Sequence, residues 1–93
     1  MNEAGAKIPT RLANVAHEVQ ETGDVVVFDA AGNQLLLLND VGAAVWLLVD
    51  GARTPAEIAR VILETLPADP AQVEHDVQQF LDTLAGHGVI ELR

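Results

Sequence analysis

The sequence predicts a single α+β domain of winged helix-turn-helix type, a three-stranded antiparallel sheet followed by three helices. Three observations carry this reading. The chain has 93 residues, enough for one hydrophobic core but not for two. Its apolar residues recur at the strand period of two up to residue 38 and at helical spacing after it. Two proline-opened capping signals, Thr54-Pro55-Ala56-Glu57 and Asp69-Pro70-Ala71-Gln72, punctuate the second half.

Residues 1–12 are polar and rich in small side chains, with Lys7, Pro9 and Arg11, and read as a flexible arm ahead of a domain over residues 13–93. Val15, His17 and Val19 alternate with Ala16, Glu18 and Gln20, the pattern of a half-buried strand. Thr22-Gly23-Asp24 is a turn, and the β-branched and aromatic run Val25-Val26-Val27-Phe28 is the second strand. Asp29-Ala30-Ala31-Gly32-Asn33 reads as a hairpin loop, and Gln34-Leu35-Leu36-Leu37-Leu38 is the third strand. Leucine alone does not select strand over helix; the shortness of the run and its place after a hairpin loop do.

Asn39 or Asp40 then caps a helix running to Val49, with Val41, Val45 and Leu48 on one face and Trp46 and Leu47 widening it. This helix is expected to be the most buried, and Gly51 stops it. The second helix buries Ile58, Val61, Ile62 and Leu66. The third aligns Val73, Val77, Phe80, Leu81 and Leu84. Gly86 and Gly88 end it, and Val89-Ile90-Glu91-Leu92 has the makings of a short terminal strand.

Composition removes whole classes of function. There is no cysteine, serine or tyrosine, so disulfides, thiolate metal sites, and Ser, Cys or Tyr nucleophiles are excluded, as is a carrier-protein serine. Fourteen acidic residues against five Lys and Arg give a net charge of -9, which argues against nucleic acid and against anionic membrane surfaces. The longest apolar run, residues 41–49, is too short to span a bilayer, and no signal-peptide core opens the chain, so a cytoplasmic location is expected.

The residues that carry chemistry elsewhere do not assemble here. His75 and His87 fall about 120° apart around a helix, the wrong geometry for one metal, and His17 has no acidic partner at a matching spacing. Neither a metal nor a cofactor is expected. Glu57, Glu64, Glu74, Asp76 and Asp82 read as solvated helix positions. The third helix has Gln72, Gln78 and Gln79 but no Lys or Arg to hold phosphates, so it is a poor DNA reader. A non-catalytic role follows.

The informative segment is the third strand. Leu35 and Leu37 point to one sheet face, Leu36 and Leu38 to the other. Three short helices cover one face of a small sheet, so either the helices and the N-terminal arm together wrap both faces, or apolar strand surface stays open as an acceptor edge for a partner peptide or a second copy.

The run Leu38-Asn39-Asp40 through Gly51-Ala52-Arg53-Thr54-Pro55-Ala56-Glu57-Ile58, with Asp76-Val77, Phe80-Leu81, Leu84 and Gly88-Val89-Ile90, resembles the PqqD family. These are small proteins built on the RiPP recognition element, the leader-binding domain of ribosomally made, modified peptides. The likeness runs from about Val15 to Leu92. The resemblance implies a peptide chaperone. It would bind the leader of a precursor peptide as an added strand on Gln34, Leu35, Leu36, Leu37 and Leu38, facing Val73, Asp76, Val77 and Phe80 of the third helix. It implies presentation to a modifying enzyme, such as a radical S-adenosylmethionine protein, with pyrroloquinoline quinone synthesis as one pathway. The charge favours a leader with Lys or Arg. The alternative is a self-associating winged-helix module whose open strand pairs with its own copy in a homodimer.

Overall fold

Strand pairing and helix order follow the predicted plan. A computed structural model describes residues 7–29 and 34–93. Its elements are β1 (Pro9–Arg11), β2 (Val15–Val19), β3 (Val25–Asp29), β4 (Leu35–Leu38), α1 (Asp40–Leu48), α2 (Pro55–Thr65), α3 (Pro70–Gly86) and β5 (Ile90–Leu92). Strands β2, β3 and β4 form an antiparallel sheet in that order, and β1 pairs antiparallel with β5. Residues 30–33 of the expected hairpin loop, and residues 1–6 of the expected arm, lie outside the described residues.

The rest of the arm corrects the sequence reading. Pro9 is buried, and Pro9, Thr10 and Arg11 pair with Leu92, Glu91 and Ile90. Arg11 holds the segment in place. Its guanidinium lies 4.8 Å from the centre of the Trp46 ring and donates to the Trp46 carbonyl at 2.8 Å. That carbonyl belongs to the last turn of α1, where a cation is favoured by the helix dipole. The two partners are 35 residues apart in sequence, so no local pattern announces them.

The turn between β2 and β3 fixes the register. Gly23 has φ of 95°, which glycine adopts without strain, and its N–H donates to the Gln20 carbonyl. Val25 and Val27 then face the helices, opposite Leu38 and Leu36 on one side and Val19 and His17 on the other. Val25, Val27 and Leu38 join Val45, Trp46, Ile58, Val77, Leu81 and Leu84 in one core. The opposite face carries Val26 and Phe28 beside Leu37 and Leu35, and among the described residues no helix covers the two leucines, which are 62% and 70% exposed.

The helix starts behave unequally. Thr54 and Glu57 close the predicted capping box, with the Glu57 N–H donating to Thr54 Oγ1 and the Thr54 N–H to Glu57 Oε1. Asp69 accepts from the Gln72 N–H, but the Gln72 side chain turns to Asp76 and the box stays half-formed. Asn39 makes no side-chain cap, because Asp40 turns the chain sharply with φ of 48° between β4 and α1. Leu47 and Leu66, expected inside, are exposed. Leu47 lies off the buried stripe of α1, and Leu66 follows the end of α2 in extended backbone.

Trp46 is fully buried, and His17 meets its ring edge-on at 5.9 Å. Burial first, and the neighbouring Arg11 charge second, lower the His17 pKa below its ordinary value near 6.5. Neutral imidazole is therefore the form the folded state prefers. Above the ordinary value both states are neutral and the full stability is present. Below it the unfolded chain takes up the proton first, so stability falls until the folded state is protonated too. We expect the midpoint of urea unfolding to drop between pH 7.5 and pH 5.5, and His17→Gln to flatten that drop. An unchanged slope in the variant would assign the pH dependence to other groups.

Candidate functional site

The candidate site is the free side of β4, and the hairpin geometry says which of its backbone groups are free. The Gln20 N–H donates to the Asp24 carbonyl at 2.8 Å, so alternation along β2 and β3 turns the amides of Val26 and Phe28 toward β2. Those of Val25 and Val27 face β4, where they meet Leu38 and Leu36. The N–H and C=O groups of Leu35 and Leu37 are left pointing outward. Among the described residues no strand pairs with them. The edge thus offers two donors and two acceptors in extended spacing, with apolar side chains beside them.

Helix α3 runs back along the β4–α1 junction. At one end, Gln34 Nε2 donates to the His87 carbonyl at 2.6 Å and Gln34 Oε1 lies 3.0 Å from His87 Nδ1. Further along, α1 and α3 enclose a groove of about 400 Å³ lined by Val41, Gly42, Asp76, Gln79, Phe80 and Thr83. Gly42 shapes it. A Cβ there would stand 2.6 Å from Phe80 Cζ, so only glycine lets the tip of the ring come so close to α1.

The structure divides the residues expected to touch a peptide. Gln34, Leu35, Leu36 and Leu37 line the edge, and Asp76 and Phe80 line the groove; all are at least half-exposed or half-buried. Leu38, Val73 and Val77 do not reach the surface, being 6%, 5% and 0% exposed. Their side chains hold β4 and α3 in place from within the core. The face of α3 that carries Val73 and Val77 is the one that packs, and Asp76 and Phe80 sit at its margin. Val41, Gly42, Gln79 and Thr83, which also line the groove, were not among the residues expected to touch a peptide. Gly42 left a signal, since a glycine inside a helix costs about 1 kcal/mol relative to alanine and calls for a reason.

His17, His75 and His87 fall on β2, on α3 and just beyond α3. Among the described residues no group of three or more His, Asp or Glu side chains is placed to hold a metal ion. No helix among them is long and apolar enough to cross a membrane.

A small α+β domain with an unpaired apolar edge strand, flanked by a groove between two helices, defines the class. The chain belongs to the PqqD family: the model of coenzyme PQQ synthesis protein D matches residues 24–90. A bifunctional coenzyme PQQ synthesis protein C/D of Methylorubrum extorquens is 43% identical over 54 residues, 58% of this chain but only 14% of that relative. The solution structure of the PqqD truncation of Methylobacterium extorquens PqqCD, described as a stand-alone RiPP recognition element, matches with a TM-score of 0.75 and 30% identity over 97% of this chain and 93% of that one. TbiB1 in complex with the TbiA(beta) leader peptide matches with a TM-score of 0.79 and 26% identity, covering 88% of this chain and 94% of that one. A lasso peptide synthetase B1, solved with its leader peptide, has the same fold, with a TM-score of 0.78 at 17% identity over 90% of this chain and 98% of that one.

Proposed function

We propose that this protein is a non-catalytic leader-peptide chaperone. It takes up the leader of a ribosomally made precursor as an added strand on β4 and presents the remainder to a modifying enzyme. The observation that carries this reading is the open edge, with the outward N–H and C=O groups of Leu35 and Leu37 beside the α1–α3 groove. Backbone pairing supplies affinity, and side chains of the added strand alternate between the groove and the exposed leucines. Two of the solved structures most like it are described as complexes with leader peptides, which supports the same use of this fold. A radical S-adenosylmethionine enzyme in pyrroloquinoline quinone synthesis is the modifying partner we propose, in keeping with the family.

The exposed Leu35 and Leu37 favour one other reading, in which two copies pair through the same edge. A titration of isotope-labelled protein with a candidate leader peptide separates the two. Leader binding predicts micromolar or tighter affinity, with amide shifts on residues 34–38 and on the Asp76 and Phe80 side of α3. Shifts at the same strand that depend on protein concentration, without peptide, indicate self-pairing. Shifts confined to residues 1–12 overturn both.

A further inference from the structure

The groove has a chemical character that the open edge does not explain. Asp76 and Phe80 stand one turn apart on α3 and both line it. Gln72 Nε2 donates to Asp76 Oδ1 at 2.9 Å and pins the carboxylate, while Oδ2 takes no hydrogen bond among the described residues. The Phe80 ring is held against Gly42 beneath. Neither β4, α1 nor α3 contains a Lys or Arg, whereas Asp40, Glu74 and Asp82 add negative charge to the same elements. The groove itself is lined by one carboxylate, Asp76, and one aromatic ring, Phe80, with no cation among its lining residues.

We infer that this groove takes a basic side chain of the bound leader, its cation against Asp76 Oδ2 and its stem or guanidinium plane across Phe80. A carboxylate and an aromatic face together select a cation that an apolar pocket would reject, and arginine suits both contacts. Because side chains of an added strand alternate, the basic residue belongs to the set pointing toward the helices. Its neighbours on either side point toward Leu35 and Leu37 and are apolar. The recognised stretch of the leader is then apolar, basic, apolar in alternation.

This inference rests on strand addition at β4, and the test keeps the two apart. The probe is a displayed library of randomised nine-residue peptides, selected on the full chain and on Asp76→Asn, a change that retains a partner for Gln72. The expected result is enrichment of Arg or Lys at one position flanked by apolar residues on the wild type and loss of that enrichment on the variant. In the best peptide, citrulline in place of arginine keeps the shape and removes the charge. It should weaken binding to the wild type roughly tenfold at low salt and leave binding to Asp76→Asn unchanged. Selected peptides that shift the β4 amides but carry no basic preference, or that tolerate citrulline, overturn the cation site and leave strand addition standing. Selected peptides that leave the β4 amides unshifted, or a library that yields no binder, overturn both.

Discussion

Leu37→Pro should abolish leader binding while the domain stays folded. The Leu37 N–H points to the open edge, so proline there removes a donor that no internal strand uses. The ring also occupies the space where a partner carbonyl would approach. Proline is tolerated at such edge positions for the reason that makes it block pairing. A loss of more than about a hundredfold in affinity is expected, because an added strand on so short an edge depends on few backbone bonds. Leu36→Pro is the control with the opposite signature. The Leu36 N–H faces Val27, so proline there breaks the sheet itself, and circular dichroism and the thermal midpoint should both register the damage. Unimpaired binding by a folded Leu37→Pro protein would mean that the leader docks elsewhere.

Trp46→Ala should destabilise the domain by about 3–5 kcal/mol, the range for truncating a large buried aromatic. Trp46 is fully buried on α1, with the His17 edge on one side and the Arg11 guanidinium over its ring. Its loss opens a cavity under the sheet and removes the ring beneath the Arg11 guanidinium, while the Trp46 carbonyl still accepts from Arg11. A domain of this size has on the order of 5–15 kcal/mol in all, so the thermal midpoint should fall by roughly 15 °C or more. One term runs the other way. The indole Nε1 is buried without a hydrogen-bond partner among the described residues, and truncation removes that donor. Trp46→Phe isolates the effect, since it keeps an aromatic ring under Arg11 and deletes the orphaned N–H. It should cost less than half as much as alanine. Equal losses for both variants would contradict this account of the site.

The residues that made the family recognisable are mostly punctuation of the fold. Asp50 Oδ1 accepts from the backbone of Ala52 and Arg53, and its other oxygen pairs with Arg53 at 2.9 Å. Thr54 and Glu57 cap α2. Such contacts span a few residues, so spacing alone reveals them. The site was legible to a lesser depth. The alternation of Leu35, Leu36, Leu37 and Leu38 marked an edge with two apolar faces, yet it did not say which amides were free. That depended on the turn at Gly23, one strand away. The family resemblance placed Val73 and Val77 beside the peptide, and only the packing shows that both are buried in the core.

Local chemistry determined the element order, the helix starts at Pro55 and Pro70, the apolar stripes and the acidic, nucleophile-poor composition. These properties depend on neighbours within a turn or two of the chain, which a linear reading can see. Tertiary structure decided the rest. It paired β1 with β5 and set Arg11 on Trp46, and it joined Gln34 to His87 across 53 residues. It also laid Phe80 against Gly42 and so opened a groove beside the free edge. Each of these rests on side chains meeting across long sequence separations, where burial and close packing select the partner and no periodicity encodes it.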